Sequence, residues 1–160
     1  MKRTKKVYPV KDLPNIKEQI LHWINQFSVC SFLDNHQYHS AHHSVECIAA
    51  AGEIGIIQGA NTAQQIDAFY TTHQDWLFGH FSYEYNAKHL NKIQKKNPIN
   101  FSDAFFFRPD HILTLKQEWL IIESHSLLPD NIFEEILATK SVIKQIDPIS
   151  ITADMSKERY

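Results

Sequence analysis

Four histidines lie close together in one polar segment, and their imidazole rings could bind a metal. The segment HQYHSAHH contains His36, His39, His42 and His43. A zinc or copper site needs three or four such ligands converging at about 2 Å. Cys30 and Cys47 flank the segment, and a hairpin centred near residues 38 and 39 would place the two cysteines opposite each other. We expect a solvated loop instead, because a flexible connection rarely holds ligands at that distance and no zinc spacing such as C-x-x-C is present.

His80 and the tripeptide Glu123, Ser124, His125 are the other residues whose types suggest catalysis. A general base needs an orienting partner and a substrate within hydrogen-bond distance, and no motif near His80 predicts either. The tripeptide cannot form a triad by itself, because consecutive side chains of a strand point to opposite faces. The sequence has no Gly-rich phosphate loop, nucleophile elbow or Cys/His signature. It therefore predicts no self-sufficient catalytic set.

The N-terminal half of the chain predicts one amphipathic helix followed by a hairpin. Apolar residues recur at helical spacing from Ile16 onward, which indicates a helix at about 14–27. The segments SVCSFLD (28–34) and ECIAAAG (46–52) lie on either side of the histidines and predict antiparallel strands. The segment EIGIIQG (53–59) extends the sheet.

A second helix and an aromatic strand are predicted next. Asn61 with Gln64 three residues later is typical of a capping box. The residues that this helix is expected to bury are Ile66, Phe69 and Tyr70. The strand 76–83 carries aromatic residues on both faces, so we expect it to be covered on both sides, with Gly79 allowing close approach of another backbone.

The C-terminal half predicts a short strand, a hairpin and a third helix. The strand covers 104–107 and ends at Pro109, and the hairpin joins 111–115 to 119–124. Asp130 is positioned to cap the helix. The residues that this helix is expected to bury are Phe133, Ile136 and Leu137. Hairpins rather than regular βαβ units indicate an α+β fold, mostly an antiparallel sheet with flanking helices.

Length and composition are typical of one domain over residues 1–160. The formal net charge of −2 gives no reason to expect nucleic acid as a partner. No apolar segment approaches the roughly 20 residues that span a bilayer. Only two cysteines occur, which favours a reducing, cytoplasmic location over a disulfide scaffold.

Four segments, in their order along the chain, resemble chorismate-utilising enzymes. SVCSFLDN is similar to an early strand of these enzymes that ends in an acidic-polar pair, commonly Glu-Ser, and WLFGHFSYEYN looks like their glycine-tyrosine strand. DAFFFRPDHILTLKQEWLIIES resembles the following strand pair, and SKERY resembles the signal that opens their C-terminal catalytic segment. Over residues 7–160 the chain is most similar to aminodeoxychorismate synthase component I, of the para-aminobenzoate branch, and next to anthranilate synthase component I.

This resemblance implies a chain that supplies structure rather than catalysis. It implies part of a large sandwich fold, completed by a C-terminal catalytic segment or chain that is absent from residues 1–160. In these enzymes that segment holds the general acid/base residues and the ligands for Mg²⁺, so no catalytic residue and no metal ligand is assigned in this chain. The implied partners are the catalytic segment and a glutamine amidotransferase subunit. Half of a sandwich would also expose an apolar face or a sheet edge, which we expect either a partner chain or a second copy of this chain to cover.

The resemblance also implies a pocket for an amino-acid effector such as L-tryptophan. The matching acidic-polar pair is Asp34 and Asn35, and apolar walls are expected from Phe32, Leu33 and Tyr83. Asn35 replaces the usual serine, although its amide oxygen can still accept a hydrogen bond from an ammonium group. The alternative is that Asp34 and Asn35 only turn the hairpin. A second hypothesis for the whole chain is a stand-alone amino-acid-binding or interaction module without catalysis.

Overall fold

The computed structural model of the chain describes residues 2–36, 38, 45–59, 61–83, 85 and 101–139. These residues form an antiparallel sheet of six strands with three helices, so the predicted α+β class is confirmed. The strands are β1 (Thr4–Pro9), β2 (Cys30–Asp34), β3 (Val45–Gln58), β4 (Phe78–Phe81), β5 (Ala104–Lys116) and β6 (Trp119–Ser124). The helices are α1 (Leu13–Ile24), α2 (Thr62–His73) and α3 (Pro129–Ala138). In the part of the chain described, no helix combines the length and apolar character needed to cross a membrane.

Strand β5 is the centre of the sheet, whose order is β1-β6-β5-β3-β2. On one side β5 pairs with β3 along nearly its whole length. On the other side its first part, Ala104–Phe107, pairs with β4, whereas residues 111–116 pair with β6. Residues 108–110 therefore lie in a gap between two strands that follow one another along the same side of β5.

Helices α1 and α3 cover one face of the sheet and build the main core. Asp12 caps α1 by accepting a hydrogen bond from the backbone N–H of Asn15 at 3.2 Å. The buried side of α1 consists of Ile16, Ile20, Trp23 and Ile24. Against it and α3 pack the apolar side chains of the central strands, chiefly Cys47, Ala49, Leu113, Leu115, Leu120 and Ile122. Removing this apolar surface from water is the main stabilising contribution to the fold.

The opposite face of the sheet is only partly covered. A smaller cluster of Ala50, Phe78, Phe107 and Ile112 is buried at one end. The pairing register aligns a further apolar row across five strands, running through Val7, Ile121, Thr114, Ile48 and Leu33. Leu33 is 56% exposed and Val7 is 46% exposed, so the ends of this row face solvent among the described residues. Among the described residues, this face of the sheet therefore presents a partly exposed apolar row.

The predicted hairpins form, but one register differs from the prediction. Strands β2 and β3 pair antiparallel, with Cys30 opposite Ala51 and Cys47 opposite Asp34. The two cysteines are therefore not opposite each other, because the register is displaced by four residues from the one assumed. Cys47 is buried, and burial raises the pKa of its thiol to about 12, so it acts as a small apolar side chain.

The predicted end of a strand at Pro109 is wrong, because β5 continues through it to Lys116. Pro109 lies opposite an irregularity of β3, where the register shifts between Glu53 and Gly55. Proline is tolerated in sheets at such bulges, since the regular ladder is already interrupted there. The predicted strands 46–52 and 53–59 are likewise one continuous strand, β3.

The later helices form where predicted, but their caps and buried sides differ. Asn61 makes no side-chain capping bond, and the polar start of α2 is held instead by the Thr62 hydroxyl, which donates to the carbonyl of Gly59 at 2.6 Å. Asp130 does not cap α3 but binds Lys6. Of the side chains that were expected to be buried, Tyr70 and Leu137 are exposed, Ile66, Phe69 and Phe133 are half-buried, and only Ile136 is fully buried.

The prediction that the aromatic strand is covered on both sides is wrong for β4. Phe78 is buried, whereas Phe81 and Trp76 are about half exposed. The expectation that Gly79 allows a close backbone approach is confirmed. A Cβ atom at Gly79 would overlap the carbonyl oxygen of Phe105 and would lie 2.6 Å from Cα of Phe106.

We expect the substitution Gly79→Ala to lower the free energy of unfolding by about 1–3 kcal/mol, because the added methyl group must displace the backbone of β5. Gly55→Ala is the matched control in β3, which pairs with the other side of β5. The nearest atom to a Cβ added there is 3.9 Å away. Urea denaturation of both variants measures the difference. Equal stability of the two variants would contradict the close approach at Gly79.

Candidate functional site

A cavity of about 420 Å³ lies between helix α1 and the edge strand β2, within the roughly 300–1,000 Å³ of small-molecule sites. Its lining residues are Pro14, Lys17, Glu18, Leu21, Phe32, Asp34 and His36. Helical spacing places Pro14, Lys17 and Leu21 along one side of α1, and the alternation of β2 directs Phe32 and Asp34 toward the helix. The cavity therefore combines an apolar wall with a charged end.

The charged end is an ion-pair network centred on Lys17. Its Nζ donates to Oδ1 of Asp34 at 2.8 Å and to Oε2 of Glu46 at 3.4 Å. Burial opposes the charge on Lys17, but these two carboxylates raise its pKa above the ordinary value. Burial likewise opposes ionisation of Asp34, but the bond from Lys17 and the backbone N–H of His36 lower its pKa. Both groups are therefore charged at neutral pH.

Two of the five predicted effector residues line this cavity, namely Phe32 and Asp34. Leu33 lies on the other face of the sheet, in the exposed apolar row. The side chain of Asn35 forms a hydrogen bond across the hairpin, in which its Nδ2 donates to the carbonyl of Val45 at 3.0 Å. Tyr83 follows β4, which is separated from β2 by two strands, and it is 96% exposed. The structure therefore brings Phe32 and Asp34 together and places the other three outside the cavity.

The cavity residues that sequence reasoning missed come from α1. Lys17 lies seventeen positions before Asp34, and no motif in the sequence connects the two residues. The contact between α1 and β2 depends on how the helix packs across the sheet, which no local pattern reveals. Together, the ammonium group of Lys17, the carboxylate of Asp34 and the ring of Phe32 can bind a zwitterion with an apolar side chain.

The histidines singled out in the sequence have other roles where the structure describes them. The ring of His80 stacks on Phe101 with 4.6 Å between ring centroids, and its Nε2 lies 3.2 Å from the carbonyl oxygen of Ser102. His36 lines the cavity at α1 and has a left-handed backbone, with φ of 50°. His39, His42 and His43 lie outside the described residues, so the metal alternative for that segment stays a prediction. Within the described residues, no three His, Cys, Asp or Glu side chains converge to hold a metal.

The members of the Glu123, Ser124, His125 tripeptide separate, as predicted. Ser124 is fully buried, and its Oγ lies 2.9 Å from Nδ1 of the buried His111. Burial lowers the pKa of His111, so the ring is neutral in the core. This pair is enclosed by α1, where Trp23 packs edge-on against His111. It therefore serves packing rather than catalysis.

His125 belongs to a second site, a charged cleft that sequence reasoning missed entirely. We define the charged cleft by Arg3, Asp75, Arg108 and His125, which come from four separate parts of the chain. Asp75 is at its centre. It accepts one hydrogen bond from Nη1 of Arg3 and another, at 2.7 Å, from Nε of Arg108. Its Oδ2 also lies 3.4 Å from Nε2 of His125.

The cluster in the charged cleft is largely buried, and this environment lowers the pKa values of Asp75 and His125. The side chains of Arg3 and Asp75 are 8% and 10% exposed. Although burial opposes ionisation, the two guanidinium groups lower the pKa of Asp75 from 3.8 to about 2. Burial, together with the charge of Arg3, lowers the pKa of His125, so its ring is neutral at pH 7. At neutral pH, Arg3, Asp75 and Arg108 therefore carry one net positive charge together.

No protein-family model matches this chain, and no curated protein matches it. The geometry of the two sites is therefore the basis for any functional assignment.

The depressed pKa of Asp75 predicts an acid-labile contribution to stability. Because its pKa is lower in the fold than when unfolded, this contribution is complete above about pH 5 and is lost as the pH falls toward 2. A shift from 3.8 to about 2 corresponds to roughly 2 kcal/mol in the free energy of unfolding.

We expect the stability difference between the unmodified protein and Asp75→Asn to shrink by that amount between pH 5 and pH 2, as measured by urea denaturation. Asp130→Asn is the matched control, in which a solvent-exposed pair with Lys6 is screened and the pH effect is smaller. A pH-independent difference for Asp75→Asn would contradict the ion-pair network.

Proposed function

We propose that this chain is the N-terminal scaffold and effector-binding part of a chorismate-utilising synthase, most similar to aminodeoxychorismate synthase component I. The observation that carries the proposal is the cavity at Lys17, Phe32 and Asp34. It coincides with the strand SVCSFLDN, the segment whose resemblance to that family implies an effector pocket. Two independent lines, the motif and the cavity, therefore lead to the same strand.

An amino acid such as L-tryptophan matches the chemistry of the cavity. The Lys17–Asp34 ion pair is complementary to a zwitterion, since the ligand carboxylate pairs with Lys17 and the ligand ammonium with Asp34. The ring of Phe32 and the side chains of Pro14 and Leu21 offer apolar surface to an indole. The ligand replaces one partly buried ion pair by two, so neither protein charge is left unpaired.

The face of the sheet opposite α1 and α3 supports the scaffold part of the proposal. The row from Val7 to Leu33 presents apolar side chains on four of five adjacent strands, with Thr114 on the fifth. In a sandwich the inner faces of two layers pack against each other and bury such rows. We propose that a C-terminal catalytic segment or chain, or a second copy of this chain, packs against this face.

In the intact enzyme, the C4 hydroxyl of chorismate would be replaced by an amine, with ammonia delivered by a glutamine amidotransferase subunit. The general acid/base residues and the ligands of Mg²⁺ would lie in the catalytic segment, where the metal would hold the chorismate carboxylate and promote loss of the hydroxyl. The contribution of this chain is to position that segment and to bind the effector.

A stand-alone amino-acid-binding or interaction module is the second candidate. The same cavity and the same apolar row favour it, because neither feature requires a catalytic partner. The two candidates differ in whether a chorismate reaction can be reconstituted, whereas both predict binding of an amino acid.

We expect L-tryptophan to raise the melting temperature of the purified chain in a saturable way, following RT ln(1 + [L]/Kd). Lys17→Gln removes the partner of the ligand carboxylate and should weaken binding about tenfold or more. Lys6→Gln removes a lysine of a similar ion pair, with Asp130, and is the matched control with unchanged binding. Absence of saturable stabilisation of the unmodified protein would exclude an L-tryptophan site.

The catalytic assignment is tested with chorismate, ammonium and Mg²⁺. We expect the purified chain alone to leave chorismate unchanged, and conversion to begin when the C-terminal segment of an aminodeoxychorismate synthase is added as a separate chain. Turnover by the chain alone would overturn the scaffold proposal. Failure of the mixture, with tryptophan binding retained, would favour the stand-alone module.

A further inference from the structure

The charged cleft lies where the pairing of the central strand is interrupted. Arg108 and Pro109 occupy the gap between β4 and β6, and on their other side β3 carries its bulge. Backbone groups that would pair with a neighbouring strand in an uninterrupted sheet have other hydrogen-bond partners here. Nη2 of Arg3 donates to the carbonyl of Pro109 at 2.6 Å, and the N–H of His125 donates to the carbonyl of Asp110 at 3.2 Å. Bulges and interrupted pairing are common next to binding sites, because they redirect side chains.

A cavity of about 320 Å³ opens at this position, a volume that suits a small ligand. Its described lining residues are Lys2, Arg3, Lys5, His73, Gln74, Asp75, Trp76, Arg108, Glu123 and His125. Four of them are cations at neutral pH and two are carboxylates, so the lining has an excess of positive charge. An excess of guanidinium and ammonium groups in a partly enclosed space favours an anionic ligand.

Arg3 provides a second, independent observation about the charged cleft. Its side chain is more than nine-tenths buried, and its two terminal nitrogens bind Asp75 and Pro109. Its Nε, however, is buried with no hydrogen-bond partner among the described residues. A buried N–H on a charged group without an acceptor is costly, so stability alone does not explain why a guanidinium group lies beside this cavity.

Arg108 adds donors on the same cavity. Its Nε is used for Asp75, and its Nη2 lies 3.4 Å from Nε2 of His125, which is long for a hydrogen bond. The plane of a guanidinium group fits two oxygens of a carboxylate or phosphate. Trp76 lines the cavity next to these donors and is half exposed, so it offers an apolar surface beside the charged groups.

We propose that the charged cleft binds a small molecule through a carboxylate or phosphate group, held by Arg3 and Arg108. The oxyanion accepts hydrogen bonds from the terminal nitrogens of Arg108, and the positive charge of Arg3, which shares Asp75 with Arg108, attracts it further. Asp75 keeps both guanidinium groups in place but competes with the ligand for them. The site is separate from the effector cavity at Lys17 and does not depend on the function proposed above.

The test uses the full chain labelled with 5-fluorotryptophan, which places a fluorine on each of its three tryptophans. Inorganic phosphate and malonate are titrated separately at constant ionic strength, with chloride as the reference, and Trp76→Phe assigns the signal of Trp76. We expect a saturable shift of the Trp76 resonance with at least one of the two anions. Phosphate alone, malonate alone or both acting identifies the oxyanion that the site accepts. No saturable shift with either anion would overturn the proposal.

Two variants separate binding from a purely structural role of the cluster. Arg108→Gln should weaken the anion about tenfold or more, since it removes a charged donor. Asp75→Asn should tighten binding, because the competing charge is removed while the side chain keeps its size. A structural cluster without a ligand predicts loss of stability in both variants and no anion-dependent shift in either. If Arg108→Gln does not fold, Lys2→Gln at the exposed rim replaces it, and unchanged affinity in the variant used would contradict the site.

Lys17→Gln is the control that keeps the two proposed sites apart. It should weaken the binding of L-tryptophan and leave phosphate or malonate binding unchanged, whereas Arg108→Gln should weaken the binding of the anion and leave L-tryptophan binding unchanged. Equal loss of both responses in both variants would show that the anions act through general stability rather than through the cleft.

Discussion

The pairing of β5 with β3 is the interaction on which the rest of the fold depends. These are the two longest strands, and each outer strand is attached to one of them or to β6, which itself pairs with β5. Three consecutive alanines, Ala49 to Ala51, lie fully buried in β3, and their small side chains leave space on both faces of the sheet. Helix α1 fills this space on one face, and Phe78 and Phe107 fill it on the other. Small side chains at the centre thus allow large ones to cover both faces.

Features set by short-range patterns could be predicted from the sequence. The periodicity of Ile16, Ile20 and Trp23 located α1, and the hairpin of β5 and β6 followed from alternating apolar residues on either side of a short polar turn. Gly79 was recognised because a glycine within an aromatic strand suggests close approach of another backbone. Each of these inferences used residues that contact one another within a few positions or within one hairpin.

Features set by long-range packing could not be predicted. Pro109 looked like the end of a strand, because its position at the bulge of β3 depends on a partner more than fifty residues away. Three of the five predicted effector residues lie outside the cavity for the same reason. Alternation placed Leu33 and Phe32 on opposite faces, and only the position of α1 decides which face carries the cavity. Tyr83 was assigned by motif alone, and the order of the strands separates it from β2.

The charged cleft shows why such a site leaves no local signal and why its composition is informative once it is seen. Arg3 and Arg108 are more than one hundred positions apart, so their contact through Asp75 becomes visible only in the folded chain. Desolvating a charged side chain costs several kcal/mol, and packed apolar residues often stabilise a junction as well or better. Stability is therefore a weak explanation for two buried arginines sharing one carboxylate. A net positive charge beside a cavity is better explained by an anion that balances this charge, and the Nε of Arg3, which has no acceptor among the described residues, agrees with a cluster that is not built for stability alone.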